Sequence, residues 1–332
     1  MVQPLALRWF VALGLCLGIS TSSVWAQEIR RLRYGTTNSI MHLPVWVAQD
    51  ARLFAKHGLP NVELIFIQSG TLITMAVVSG ELQFSGAGAA SVVAARIRGA
   101  DVTLLACPVD ADAVYLIARP GIKSAAELKG KSAAVTRLGS TTHFYLRSAL
   151  RYAGLDPQKD VKVLQLGLEW AAALEAGRID AAALPFNLAL PYLQKNWPVL
   201  LDLSKTDFSY PASCVVSSRV FIRENLNIVD RFLRAYVEAI HHIKKNHPFA
   251  QKVFSKWLRQ DNPEIAKKTV DAYAELFKRV PTVPENGIKA VLEELAERNP
   301  VPKEFLDHPN QFRDHAPLGK LINEGWIDQL YR

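Results

Sequence analysis

The sequence predicts an α/β protein with two similar lobes and a helical C-terminal region. Three observations predict it. Short β-rich runs alternate with amphipathic helix-length segments from Leu32 onward; that pattern recurs 96 to 97 residues later; and helical periodicity takes over after Val229.

Leu32 to Thr36 is a short strand-like run, followed by the polar loop Thr37-Asn38-Ser39. Pro44 to His57 reads as one helix, because Val47, Ala48, Ala51, Phe54 and Ala55 share a face. Pro44 suits its first turn, and Gly58 suits its C-terminal cap. Val62 to Ile67 alternates like a strand, and Ser69-Gly70-Thr71 opens a helix that runs to Ser79. Leu82 to Ser85 is the next strand; Gly86-Ala87-Gly88 turns into the helix Ala89 to Arg98; and Val102 to Ala106 is a further strand. Such alternation predicts a mainly parallel sheet.

The second round begins with the strand Lys131 to Thr136, the loop Leu138 to Thr142 and the helix His143 to Ala153. Gly154 answers Gly58 at an offset of 96, and Gly177 answers Gly80 at 97. Val161 to Leu166, Ala171 to Gly177 and Ile179 to Ala181 complete the repeat, and Ala212 to Ser217 is a later strand. Beyond Val229, Pro248, Pro263, Pro281 and Pro284 punctuate four amphipathic helices.

Composition narrows the function. In 332 residues, 49% are apolar and 21% charged, which excludes disordered, collagen-like and disulfide-scaffold proteins. The net charge of +8 is spread without a dominant basic tract, so no nucleic-acid partner is expected. Residues 1–26 read as a cleavable secretion signal: Arg8, the apolar run Trp9 to Ile19, and Val24-Trp25-Ala26 before the cut. That run is too short to span a bilayer, and removing it leaves a soluble exported chain from Gln27. An exported location permits a disulfide between Cys107 and Cys214, with two buried thiols as the alternative.

No GxGxxG, GxxxxGK[ST], HExxH or GxSxG motif is present, and no cofactor or metal is expected. The positive signal is repetition of small, polar loops between a strand and a helix. In an open α/β sheet these lie at the carboxyl ends of strands, where ligands bind. Helix N-termini there offer unpaired N–H groups and partial positive charge. The candidates are Asn38 and Ser39; Ser69, Gly70 and Thr71; Gly86 and Ala87; and Gly139, Ser140, Thr141 and Thr142. Serine and threonine are also ordinary helix caps, so each loop is weak by itself. Arg137 either pairs with an anionic ligand or is a surface charge. His42, His143 and Trp170 either line the cleft or pack beside it.

Leu43 to Ala48, Leu53 to Leu59, the stretch Gly121 to Ser140, and Ala173 to Ala182 carry a family resemblance. The chain resembles the extracytoplasmic solute-binding proteins of ABC importers, in the nitrate/sulfonate/taurine class, whose fold the thiamine-pyrimidine precursor proteins share. The resemblance implies a type II periplasmic-binding fold: two doubly wound lobes joined by two crossovers, with C-terminal helices. Lobe 1 would be residues 27–112 and 214–332, and lobe 2 residues 113–213. It implies a periplasmic monomer that captures a small, in one reading anionic, organic molecule between the lobes. The partners would be an importer's permease and ATPase. Asn38, Ser69, Gly70, Gly86 and Ala87 would be contacts in one lobe; Gly139, Ser140, Thr141, Trp170 and Pro185 would be contacts in the other. The alternatives are an exported sensor for a membrane receptor, or an enzyme on the same fold, of pyrimidine-precursor synthase or desulfinase type. The synthase's Cys-rich motif is absent.

Overall fold

The computed structural model describes residues 31–332, so the expected leader lies outside the described residues. Among the described residues, ten strands form two five-stranded sheets. The first takes β1 (Leu32–Thr36), β2 (Val62–Phe66), β3 (Phe84–Ala87), β4 (Thr103–Ala106) and β10 (Cys214–Ser217), in the order β2-β1-β3-β10-β4. The second takes β5 (Val114–Ala118), β6 (Ser132–Val135), β7 (Lys162–Gln165), β8 (Ala181–Pro185) and β9 (Val199–Asp202), in the order β7-β6-β8-β5-β9. Each sheet is parallel except for one strand. β10 runs antiparallel to β3 and β4, and β5 runs antiparallel to β8 and β9. These two are the strands by which the chain enters the second sheet and returns to the first.

The helices used below are α1 (Leu43–Asp50), α2 (Gly70–Val78), α3 (Ala89–Ile97), α4 (Thr141–Tyr152), α5 (Phe186–Gln194), α6 (Leu226–Lys245), α7 (His247–Leu258), α8 (Pro263–Leu276) and α9 (Glu285–Ala296). The helix expected from Pro44 to His57 is broken. Arg52 adopts the left-handed conformation (φ 55°), so Leu43–Asp50 and Leu53–Lys56 are separate. The apolar period continues across the break, which hides it from the pattern. β3 and β8 also lie a few residues later than expected, so Gly86 and Ala87 belong to a strand rather than to the loop after it.

Period-two alternation sets the layers. In the second sheet, Leu116, Ala133, Ala181 and Ala183 face the large core that runs through both lobes. Their neighbours Ile117, Ala134, Ala182 and Leu184 face a separate cluster with Trp170 and Leu174. Around the first sheet, Tyr34, Phe84 and Phe54 stack on Phe232 of α6 with ring centroids 5.6, 4.3 and 5.4 Å away. The C-terminal helices are therefore part of the core. Pro248 and Pro263 sit in the first turns of α7 and α8, where a missing N–H costs nothing. No helix among the described residues is long and apolar enough to cross a membrane.

Cys107, just after β4, is bonded to Cys214 at the start of β10, with Cα atoms 4.1 Å apart. The bond ties the two crossovers together where they meet the first sheet.

Candidate functional site

A cavity of about 120 Å³ lies between the carboxyl ends of the two parallel sets of strands. Asn38, Ser39, Ser69, Gly70 and Gly86 line it from the first sheet, and Ser140, Thr141, Thr142, Trp170 and Pro185 from the second. Those ten come from segments far apart in sequence. Four other candidates do not line it. Thr71 is on α2 with its hydroxyl buried and unpartnered. Ala87 is buried within β3. Gly139 (φ 78°) turns the chain and donates its N–H to His143 Nδ1 at 3.0 Å. Arg137 is exposed; its contribution is a backbone carbonyl that accepts from Ser140 Oγ at 2.7 Å. Of the two readings of Arg137, the structure fits the surface charge, since the residue is exposed and does not line the cavity.

The three small loops differ in what their helix ends leave free. Ser69 caps α2 through Leu72 N–H at 3.4 Å, and the N–H groups of Gly70 and Thr71 have no partner among the described residues. Ser140 precedes α4 without capping it by its side chain, which leaves the Thr141, Thr142 and His143 N–H groups unpartnered there. The α3 end is already occupied. Ala89 N–H donates to Pro211 O at 2.9 Å, and Ala90 N–H to the Tyr210 hydroxyl at 3.3 Å. Both acceptors come from the return crossover, so these two amides are spent on contact with it, while Gly86 and Gly88 still line the cavity. Gly88 shows how close that contact is: a Cβ there would lie 2.1 Å from Thr141 Oγ1 and 2.3 Å from the Tyr210 hydroxyl. Thr141 is in turn hydrogen-bonded to Tyr210 of the return crossover at 3.2 Å.

The hydroxyls of the second-lobe loop form their own cluster. Thr136, Ser140 and Thr142 lie 2.9 to 3.1 Å from one another, and Thr142 Oγ1 accepts from Thr136 N–H. They shape the pocket wall first and face it second. The two histidines that flank the loops play matching roles. His42 Nε2 accepts from Thr37 N–H at 2.9 Å, as His143 Nδ1 does from Gly139. Burial lowers the His42 ring to about 3. Burial, aided by Arg298, lowers His143 to about 4. Both are neutral loop braces, and neither lines the cavity.

Asp112 is one of several lining residues that sequence reading missed, and the only charged one in the lining. It lies on the outgoing crossover, accepts from Tyr145 at 2.7 Å and Tyr273 at 2.6 Å, and is 2% exposed. Burial pushes its carboxyl up to about 6, against the pull of those two hydroxyls. A lone Asp in a crossover carries no sequence signal. The cavity thus holds no lysine or arginine; backbone amides at α2 and α4 supply its positive character. A buried ion pair, Arg147 of α4 with Glu294 of α9, joins the second lobe to the C-terminal helices, and Arg298 adds a second cation 2.9 Å from Glu294. Among the described residues no group of His, Cys, Asp or Glu gathers as a metal site.

Comparison with known proteins agrees with this geometry. A family model described as "NMT1/THI5 like" matches residues 39–249. The taurine-binding periplasmic protein of Escherichia coli K12 is 26% identical over 296 residues, which is 85% of this chain and 86% of that protein. The periplasmic nitrate-binding protein NrtA of Synechocystis PCC 6803 superposes with a TM-score of 0.76 at 14% identity, covering 90% of this chain and 89% of the other. The alkanesulfonate-binding protein SsuA of Xanthomonas axonopodis, bound to MOPS, gives 0.68 at 21% identity, over 84% and 96%. The fold is the two-lobed periplasmic-binding fold.

Proposed function

The chain belongs to the NMT1/THI5-like family, and from that premise we propose that it is an extracytoplasmic solute-binding receptor of an ABC importer. It captures a small polar organic molecule between its lobes and releases it unchanged to a membrane permease with its ATPase. Lobe 1 comprises residues 31–112 and 214–332, and lobe 2 residues 113–213. The observation that carries the reading is the cavity itself. Gly70 at the start of α2, and Thr141 and Thr142 at the start of α4, carry amides with no partner among the described residues and line one cavity from two lobes that touch at Gly88 and Thr141. A ligand there contacts both lobes only when they are together, so binding favours the closed state. The relatives named for taurine and alkanesulfonate binding support a polar head group, and the amide ends suit a sulfonate or carboxylate. The Cys107–Cys214 bond fits an oxidising compartment outside the cytoplasm. We take the working form to be a monomer with one ligand per cleft and no turnover.

Thermal-shift screening of the purified chain with taurine, alkanesulfonates, nitrate and small carboxylates tests this. A ligand at a hundred times its Kd adds about 2.7 kcal/mol of stability, a rise of several degrees in Tm. Mass spectrometry of the mixture should return that ligand intact. Chemical conversion of the stabilising compound by the pure protein would overturn the receptor reading in favour of an enzyme.

A further inference from the structure

A second cavity, of about 420 Å³, opens beside the first and shares Thr37, Asn38 and Leu168 with it. Its character is different. Where the inner cavity is lined mainly by hydroxyls and glycines, the outer one is walled largely by Trp46, Trp257, Leu64, Phe66, Leu258 and Leu168, with Arg259 as its one charged lining residue. Trp46 and Trp257 lie parallel within 3°, with ring centroids 5.9 Å apart. Phe66, at the end of β2, and Leu168, after β7, come from opposite lobes and are 52% and 46% exposed. Large apolar side chains so exposed at the mouth of a cleft call for an apolar partner. The Trp46 indole is 2% exposed, yet its Nε1–H has no hydrogen-bond partner. Buried donors are normally satisfied, and this one is closed off from the groove as well as unpartnered. Trp257, by contrast, donates to Asp50 at 3.3 Å.

We infer that the outer groove is a second subsite, which holds an aryl arm of the same ligand whose polar head lies in the inner cavity. Continuity and size carry the argument. The two spaces meet at Thr37 and Asn38, the outer is more than three times the inner, and its walls are aromatic. A compact inorganic anion fills only the inner space. An aryl acid fills both, its ring lying against the exposed Phe66 and Leu168 and the Trp46–Trp257 pair. This rests on the receptor reading above and narrows its ligand to amphipathic aryl compounds.

Calorimetric titration with two matched series tests it: methanesulfonate, benzenesulfonate and naphthalene-2-sulfonate; and acetate, benzoate and 2-naphthoate. Wild type should bind the naphthyl member of at least one series about tenfold or more tighter than its methyl member. Trp257→Ala should lose that gain and keep the methyl affinity. The surface variant Phe66→Ser with Leu168→Ser serves as a second arm that leaves the core intact. A methyl probe that binds with no gain from the ring overturns the inference and leaves the receptor reading standing. So does a gain that survives in both variants. Binding by no member of either series overturns both.

Discussion

Asp112 is where the physical chemistry of single residues is sharpest. Its carboxyl is buried at the junction of a crossover, α4 and α8, and two tyrosine hydroxyls satisfy it without a cation. Because burial raises its pKa from 3.8 to about 6, the folded chain holds this proton more tightly than the unfolded chain does. The sign follows from proton linkage. Between those values the native state binds more protons, so the contribution of this site falls as pH rises, and above about 6 the full cost is present. That cost is on the order of 2–3 kcal/mol. Asp112→Asn keeps the shape and removes the titration. Its stability relative to wild type should improve from pH 4.5 to 7.5, read from paired urea melts; a difference independent of pH would contradict the assignment. His42 shows the same burial acting on a base, which it keeps neutral as an acceptor for Thr37. Gly86 permits that placement, since a Cβ would lie 2.3 Å from the His42 ring.

At the scale of elements, the strand–loop–helix units around Ser69 and Ser140 were legible because cap residues, glycines and period-two runs agree with one another. Two strands were not. Val114–Ala118 and Val199–Asp202 are short apolar runs without clear alternation, and such runs gain their identity from partners rather than from their own pattern. Each pairs with the other, and β5 also with β8, at separations no local rule reaches. The α3 loop marks a further limit. Gly86-Ala87-Gly88 looks like its counterparts, yet Tyr210 and Pro211, about 120 residues away, occupy its amides. Arg137 takes the surface-charge alternative: its side chain is exposed, and only its carbonyl is used, by Ser140 Oγ in the turn before α4. The disulfide belongs to this scale as well. It closes a loop between residues 107 apart in sequence, which encloses the whole second sheet. Loop-closure entropy places its contribution at about 2–5 kcal/mol. Replacing Cys107 and Cys214 together by alanine should lower the unfolding free energy by that amount in denaturant titration. Equal midpoints for the bonded and alanine forms would show that the crossovers need no tie.

The whole molecule is two lobes whose contact surface and ligand space are the same region. Gly88 meets Thr141 and Tyr210 at the edge of the cavity, and the Arg147–Glu294 pair holds α4 against the C-terminal helices. On the proposed receptor reading closure and capture are one equilibrium, and a side chain wedged into this contact, at the edge of the cavity that Gly88 also lines, should weaken binding. Gly88 is the place to drive the wedge, because its φ of −78° suits any residue and only space forbids one. The most direct measurement is calorimetric titration of wild type and Gly88→Leu with a ligand found by thermal shift, after circular dichroism has shown both to be folded. Wild type should bind one molecule per chain, and Gly88→Leu should bind at least about tenfold more weakly. Equal affinity in a folded Gly88→Leu protein would contradict capture by closure between the two lobes.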